Sequence, residues 1–154
     1  MKLSVIIVSY NCKVYLDYCI QSVISALKNI HGEVIVIDNN STDNTKDFLR
    51  SKGYNIKFIE SNINLGFSKA NNQAVKSAKG EYLFFLNPDT VIPENLFDSF
   101  FRVENDLNNL GILGFRMIDA RGQFLKESKR NSPTKRMVFK KLLGIKNNYQ
   151  SKID

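Results

Sequence analysis

Two aspartates stand where carboxylates can work on a ligand. Asp38 follows the run Glu33-Val34-Ile35-Val36-Ile37 and opens the polar stretch Asp38-Asn39-Asn40-Ser41-Thr42-Asp43; Asp89 closes Asn87-Pro88-Asp89, directly after Tyr82-Leu83-Phe84-Phe85-Leu86. One carboxylate so placed can accept hydrogen bonds from a base or a ribose. Another can hold a divalent cation that bridges two phosphates and offsets their charge. Two more polar segments follow apolar runs in the same way, Ser9-Tyr10-Asn11 after residues 3–8 and residues 62–71 after residues 56–59. Each feature also has a plainer reading. Asp and Asn are ordinary turn and cap residues, Asn-Pro-Asp makes a good type I turn, and Gly66 can serve simply as a positive-φ position.

Several familiar signatures are missing from the sequence. No GxGxxG follows the first apolar run, which disfavours a dinucleotide-binding dehydrogenase, and no GxxxxGK[ST] is present, which excludes a P-loop phosphotransferase. Cys12 and Cys19 are the only cysteines. Their i, i+7 spacing on one predicted helix face is wrong for a metal-binding CxxC pair, so they read as reduced core thiols of a cytosolic protein. The single histidine, His31, lies in a Gly-containing turn with nothing tying it to either thiol as a catalytic base.

The elements that must position these residues alternate strand and helix. Residues 3–8 are uninterruptedly aliphatic, as in a strand buried on both faces. Leu16, Ile20, Val23, Ile24 and Leu27 recur at helical steps. Residues 33–37, 56–59 and 82–86 are further strands. Ser41 or Thr42 is expected to cap a second helix that Gly53 ends, and Ser68 a third that runs to Lys79 and stops at Gly80. Pro93 suits the first position of a fourth, with the apolar stripe Leu96, Phe97, Phe100, Phe101 and Leu107 facing the core. The pattern predicts βαβ units and a mainly parallel sheet sandwiched by helices. In such a sheet ligands bind beyond the carboxyl ends of the strands, where all four polar segments fall. Past Gly111, residues 112–118 and 123–125 are expected to pair as a hairpin around Asp119-Ala120-Arg121-Gly122, and residues 134–145 to form a basic amphipathic helix. The organisation expected is therefore an α/β core over residues 1–115 and a basic hairpin and helix extension over 116–154.

Charge divides along the same line. The chain of 154 residues carries a net charge of +7. From Arg116 onward there are 11 Lys and Arg against Asp119, Glu127 and Asp154, which leaves 11 basic and 12 acidic residues, a net −1, for residues 1–115. A basic tail of this kind suits phosphates of a donor, a lipid-linked acceptor or an anionic membrane surface, and equally a solvated helix. No recognised nucleic-acid motif accompanies it. No apolar run approaches the roughly 20 residues that span a bilayer. The short apolar start lacks the length and cleavage site of a signal peptide, so a cytoplasmic protein, in reach of the inner membrane face, is expected.

Taken in order, Ser4-Val5-Ile6-Ile7-Val8-Ser9-Tyr10-Asn11, Asp38 to Asp43, Asn64-Leu65-Gly66-Phe67 through Asn71, and Leu86-Asn87-Pro88-Asp89 resemble family 2 glycosyltransferases, which have the GT-A fold. The resemblance runs in register from the first strand to about Pro93, and is greatest to bacterial members that decorate polysaccharides with rhamnose or similar sugars. It implies transfer of a sugar from a nucleoside-diphosphate donor to a saccharide or lipid-linked acceptor, with inversion. By resemblance, Ser9, Tyr10 and Asn11 line the donor pocket, Asp38 hydrogen-bonds a pyrimidine base, and Asp43 supports the Asp38 loop or contacts the ribose. Gly66 lets the backbone approach the donor, and Asn71 orders that loop or touches the nucleotide. Asn87 and Asp89 stand at the family's DxD motif, with Asp89 on Mg²⁺ or Mn²⁺.

Two departures qualify the carry-over. Asn87 replaces the first carboxylate of the metal motif, so cation binding rests on Asp89. An inverting transferase also needs a general base at the acceptor hydroxyl. After Asp106 the sequence offers only Asp119, in an expected turn, Glu127, among lysines, and Asp154, so no catalytic base is identified. A truncated enzyme that keeps donor binding fits this pattern, as does a non-catalytic sugar-nucleotide-binding or interaction module. A sugar-phosphate nucleotidyltransferase shares the layout, but would carry a Gly- and Arg-containing loop where Ser9-Tyr10-Asn11-Cys12 stands.

Overall fold

The computed structural model describes residues 1–106, 111–119 and 121–125. The chain divides into two compact units, residues 1–108 and 109–154. In the first, strands β1 (Leu3–Ser9), β2 (Gly32–Asp38), β3 (Lys57–Glu60) and β4 (Tyr82–Leu86) alternate with helices α1 (Lys13–Ala26), α2 (Thr45–Lys52), α3 (Phe67–Val75) and α4 (Leu96–Val103); a 3₁₀ turn, Glu104–Asp106, follows α4. All strand pairs are parallel and the order is β3-β2-β1-β4. Winding therefore runs outward from β1 through β2 to β3, then restarts on the other side of β1 with β4. That reversal falls between β1 and β4, and open α/β sheets receive ligands at the carboxyl ends of the strands beside such a switch point.

The expected α/β sandwich is what the core builds. Every residue of β1 is buried. Val5, Ile7, Val34 and Val36 face Leu16, Cys19, Ile20 and Val23 of α1, Leu49 of α2 and Phe97 of α4, whereas Ile6, Val8, Ile35 and Ile37 face Ala70 and Ala74 of α3. Each fully buried aliphatic side chain contributes roughly 1.5–3 kcal/mol. Phe84 of β4 meets Phe97 edge to face, with ring centres 5.2 Å apart.

Helix ends differ from the sequence expectation, each for a local reason. Helix α2 begins at Thr45, after Asn44 in the left-handed region (φ 62°), so neither Ser41 nor Thr42 caps it; their polar groups bond to Asn11 across the neighbouring loop. Gly53 does end α2, with φ 63°. Helix α3 has Gly66, not Ser68, at its N-cap and stops at Val75 rather than Lys79. Beyond it, three-residue bonds from Ser77 N–H to Ala74 O (2.9 Å) and Ala78 N–H to Val75 O (3.0 Å) turn the chain down to β1. There Ser4 Oγ accepts Gly80 N–H at 2.8 Å. A Cβ on Gly80 would lie 2.3 Å from Ser4 N, so this glycine is required by close approach. Helix α4 starts at Leu96, not Pro93; the Pro93 carbonyl accepts Leu96 N–H at 3.1 Å, closing a turn first. Leu107 of the expected stripe lies outside the described residues.

In the second unit the turn is present and the hairpin is short. Asp119 O accepts Gly122 N–H (2.9 Å), Asp119 Oδ1 accepts Arg121 N–H (2.9 Å) and Gln123 N–H (2.8 Å), and Gly122 takes φ 76°. One antiparallel bridge, Ile118 to Phe124, joins the arms, so the expected strand over residues 112–118 is reduced to a single bridging residue. The expected helix over 134–145 lies outside the described residues.

Candidate functional site

The loops after β1 and β2 are built as one piece. Asn11, Asn40 and Asn44 all hold positive φ (51°, 67° and 62°), a conformation that Asn tolerates better than most side chains. Asn11 N–H donates to Ser41 Oγ (3.0 Å), and Asn11 Oδ1 accepts Thr42 N–H (2.8 Å), so each loop supplies what the other lacks. Asp43 fastens both helix starts. Its Oδ2 accepts Lys13 N–H at the head of α1 (3.1 Å), and its Oδ1 accepts the Thr45 N–H (3.2 Å) and hydroxyl at the head of α2. Burial alone would raise the Asp43 carboxyl, but these bonds outweigh it and hold it below the ordinary carboxylate range.

Asn39 plays the matching part toward the loop after β3. Buried to 3% exposure, it donates from Nδ2 to Asn64 Oδ1 (2.8 Å) and accepts Leu65 N–H on Oδ1 (2.8 Å), while Asn64 Oδ1 also takes Gly66 N–H (2.9 Å). Gly66 has φ 72° and ψ 169°, a backbone shape that essentially only glycine adopts, and no atom lies within 4 Å of where its Cβ would be. Asn71 turns its Nδ2 back to Phe67 O at 2.9 Å, tying the first turn of α3.

Asp38 sits at the centre of this frame, as the last residue of β2 rather than beyond it, paired in register with Ser9 of β1 and Glu60 of β3. Its side chain is completely buried. Oδ2 accepts Ser41 N–H (3.0 Å) and lies 3.9 Å from Lys46 Nζ. Oδ1 is buried with no hydrogen-bond partner. Buried acceptors are nearly always satisfied, and leaving one bare costs about 1–3 kcal/mol.

The β4 side is made differently. Asn87 and Asp89 are exposed on a turn closed by Thr90 N–H to Asn87 O (3.2 Å). The Cys19 thiol reaches the same carbonyl at 3.5 Å. Burial pushes that thiol up to about 12, so it stays protonated and anchors the turn to α1. Cys12 is not on the same helix face as Cys19, as its spacing suggested. It precedes α1, with Sγ 3.3 Å from the buried Ser9 Oγ. Tyr10, in the loop after β1, is half exposed. No cluster of three or more His, Cys, Asp or Glu suited to a metal occurs among the described residues. Asp89 and Asn87 therefore offer one carboxylate and one amide, a donor set suited to a hard cation whose other ligands are phosphate oxygens and water. Two clefts of about 270 and 470 Å³ lie elsewhere, lined by Ser25, Lys28, Glu94 and Asp98 and by Leu65, Lys69, Asn72 and Lys76; neither touches Asp38 or Asp89.

Sequence reasoning missed Lys46, eight residues and a whole loop away from Asp38 with no spacing to mark it. It also read Asn39 only as a turn residue, although the Asp-Asn-Asn run contained a buried clamp.

Known proteins resemble this chain in sequence and in fold. A poly(ribitol-phosphate) beta-glucosyltransferase of Bacillus spizizenii is 35% identical over 97 residues, covering 60% of this chain and 15% of that protein. The Escherichia coli UDP-Glc:alpha-D-GlcNAc-diphosphoundecaprenol beta-1,3-glucosyltransferase WfaP is 41% identical over 88 residues, 56% of this chain and 34% of its own. The crystal structure of S. aureus TarS 1-349 in complex with UDP-GlcNAc superposes with a TM-score of 0.60 at 27% identity, covering 73% of this chain and 37% of that one. The chain thus spans less than half the length of these relatives. The model of the family described as "Glycosyl transferase family 2" matches residues 4–153, and with the parallel sheet and the polar loops along its carboxyl edge this establishes that the chain belongs to glycosyltransferase family 2.

Proposed function

We propose that this chain binds a nucleoside-diphosphate sugar and is the donor-holding part of an inverting glycosyltransferase. One observation carries the reading: the bare, buried Oδ1 of Asp38 at the carboxyl edge of the sheet. The N–H of a pyrimidine base is a donor of the right kind, and Tyr10 and Asn11 follow Ser9, the register partner of Asp38 on β1. TarS, crystallised with UDP-GlcNAc and with UDP, and WfaP, whose name specifies UDP-Glc, favour a uridine donor. Asp89, with Asn87, would hold Mg²⁺ or Mn²⁺, which neutralises charge on the diphosphate when bound; a mannosyltransferase of Pyrobaculum calidifontis that shares the fold was solved with GDP-Man and Mn²⁺.

The acceptor we infer is a saccharide or a lipid-linked saccharide, in keeping with the polyribitol-phosphate and diphosphoundecaprenol in the relatives' names. The basic residues of 116–154 would favour work at the inner face of a membrane. A donor-binding module without transfer is the second reading. It is favoured by Asp119, whose Oδ1 already accepts two backbone N–H groups and is ill placed to take a proton from an acceptor.

Calorimetric titration with UDP, with and without Mn²⁺, tests the site. Asp38→Ala should weaken binding about 10- to 100-fold even without metal, since a hydrogen bond to a charged group is at stake. Asp89→Ala should abolish the metal-dependent part alone. Equal binding by wild type and both variants overturns the assignment, and donor binding without transfer to any acceptor selects the second reading.

A further inference from the structure

We propose that the groove along the outer face of α3 binds a phosphodiester-linked chain of polyol or sugar units. Calling that chain the acceptor rests on the reading above; its binding stands on the groove's own residues. The groove has a volume of about 470 Å³ and is lined by Leu65, Lys69, Asn72, Gln73 and Lys76. That size lies in the range of ligand sites, roughly 300–1,000 Å³. The four polar residues, on α3 or at its C-cap, are spaced i, i+3, i+4 and i+7, which puts them on one helix face. The other face, with Ala70 and Ala74, packs on β1 and β2.

The fold makes no use of this polar face. Among the described residues the side chains of Lys69, Asn72, Gln73 and Lys76 have no hydrogen bond or ion pair. Elsewhere in the same unit Lys2, Lys28, Lys46, Arg50 and Lys52 each pair with an acid. Two free ammonium groups and two free amides therefore share one groove. Its loop wall is fixed in advance: Leu65 N–H donates to Asn39 Oδ1 (2.8 Å), and Gly66 N–H to Asn64 Oδ1 (2.9 Å).

The lining matches a repeating ligand. A lysine binds phosphate as a point charge, whereas a carboxamide both donates and accepts, as a hydroxyl group does. Lys69 and Lys76 are two helical turns apart, about 10 Å along the axis, with Asn72 and Gln73 between them. Such a separation suits phosphates joined through a polyol or sugar unit better than the two phosphates of one diphosphate, which share an oxygen. Leu65, half-buried, offers apolar surface to the carbon skeleton. A bilayer surface fits less well. Peripheral binding to lipid draws on apolar insertion as well as charge, and the apolar part of this lining is that one leucine.

The experiment titrates the full chain by calorimetry with a synthetic ribitol-phosphate oligomer, with UDP, and with vesicles of phosphatidylglycerol and phosphatidylcholine. Wild type is compared with Lys69→Gln/Lys76→Gln and with Lys28→Gln/Lys52→Gln, which removes the same charge from other surfaces. We expect Lys69→Gln/Lys76→Gln to weaken oligomer binding about tenfold or more, with UDP affinity and melting temperature unchanged, and the other pair to change it less than about twofold. Equal losses in the two pairs would show an effect of net charge alone and overturn the groove. No binding of the oligomer by wild type would overturn it too, as would vesicle binding that depends on Lys69 and Lys76 while the oligomer is ignored. If the oligomer result holds but wild type fails to bind UDP, the donor reading fails and the groove stands.

Discussion

The carboxyl ends of β2 and β4 carry the two aspartates of the candidate site, and they are built in opposite ways. Around Asp38 the neighbouring loops are tied by polar side chains: Asn11 to Ser41 and Thr42, Asp43 to Lys13 and Thr45, Asn39 to Asn64 and Leu65. Around Asp89 one turn bond and one thiol contact hold the backbone, and the carboxylate itself is exposed. A buried acceptor that must meet a particular N–H needs a rigid frame, because a misplaced bond in a dry site is lost without compensation from water. A carboxylate that meets a hydrated cation can find its position when the ligand arrives. The difference predicts that substitutions near Asp38 cost stability as well as binding, and that those near Asp89 cost binding alone.

Asn39→Ala should cut deepest into the empty protein. It strands the Leu65 N–H and releases the loop after β3, at a cost of about 2–3 kcal/mol, read as a lowered urea midpoint, with weaker UDP binding besides. Next comes Asp38→Ala, whose effect is chiefly on UDP, about 10- to 100-fold and independent of metal. If instead its main effect is on stability, the carboxylate is structural and the comparison fails.

Asp43→Asn should cost about 1 kcal/mol, the worth of a helix cap. Its pH dependence has a fixed sign. The carboxyl is held below its ordinary value in the fold, so its contribution is complete above the ordinary carboxylate range and is lost as pH falls through the lowered value. The stability gap between wild type and Asp43→Asn should hold steady from neutral to mildly acidic solution and close at lower pH. Smallest of all is Asp89→Ala, which should move stability by no more than about 0.5 kcal/mol while removing the Mn²⁺-dependent part of UDP affinity. A large loss of stability there would erase the contrast between the two ends.

Strands were the most legible part of the fold. Residues 82–86 were read to the residue, because an apolar run between Gly80 and Asn87 has sharp limits. Helix ends were less so. The end of α3 was placed four residues late because the turn at Ser77 and Ala78 is dictated by the close contact of Gly80 with Ser4, 76 residues apart, which no local pattern announces. Ser41 and Thr42 looked like caps, yet they serve Asn11 on another loop. In the site, Asp38 and Asp89 stood out by their place after apolar runs. What could not be read was their difference in burial, or the approach of Lys46, since both depend on how three loops fold over one strand end.

The most direct measurement is a crystal structure of the chain with UDP and Mn²⁺. The account predicts the uracil N3 within hydrogen-bond distance, about 2.7–3.2 Å, of Asp38 Oδ1, the oxygen that has no partner in the protein. A base bound elsewhere, with Oδ1 still bare or satisfied only by water, would contradict it.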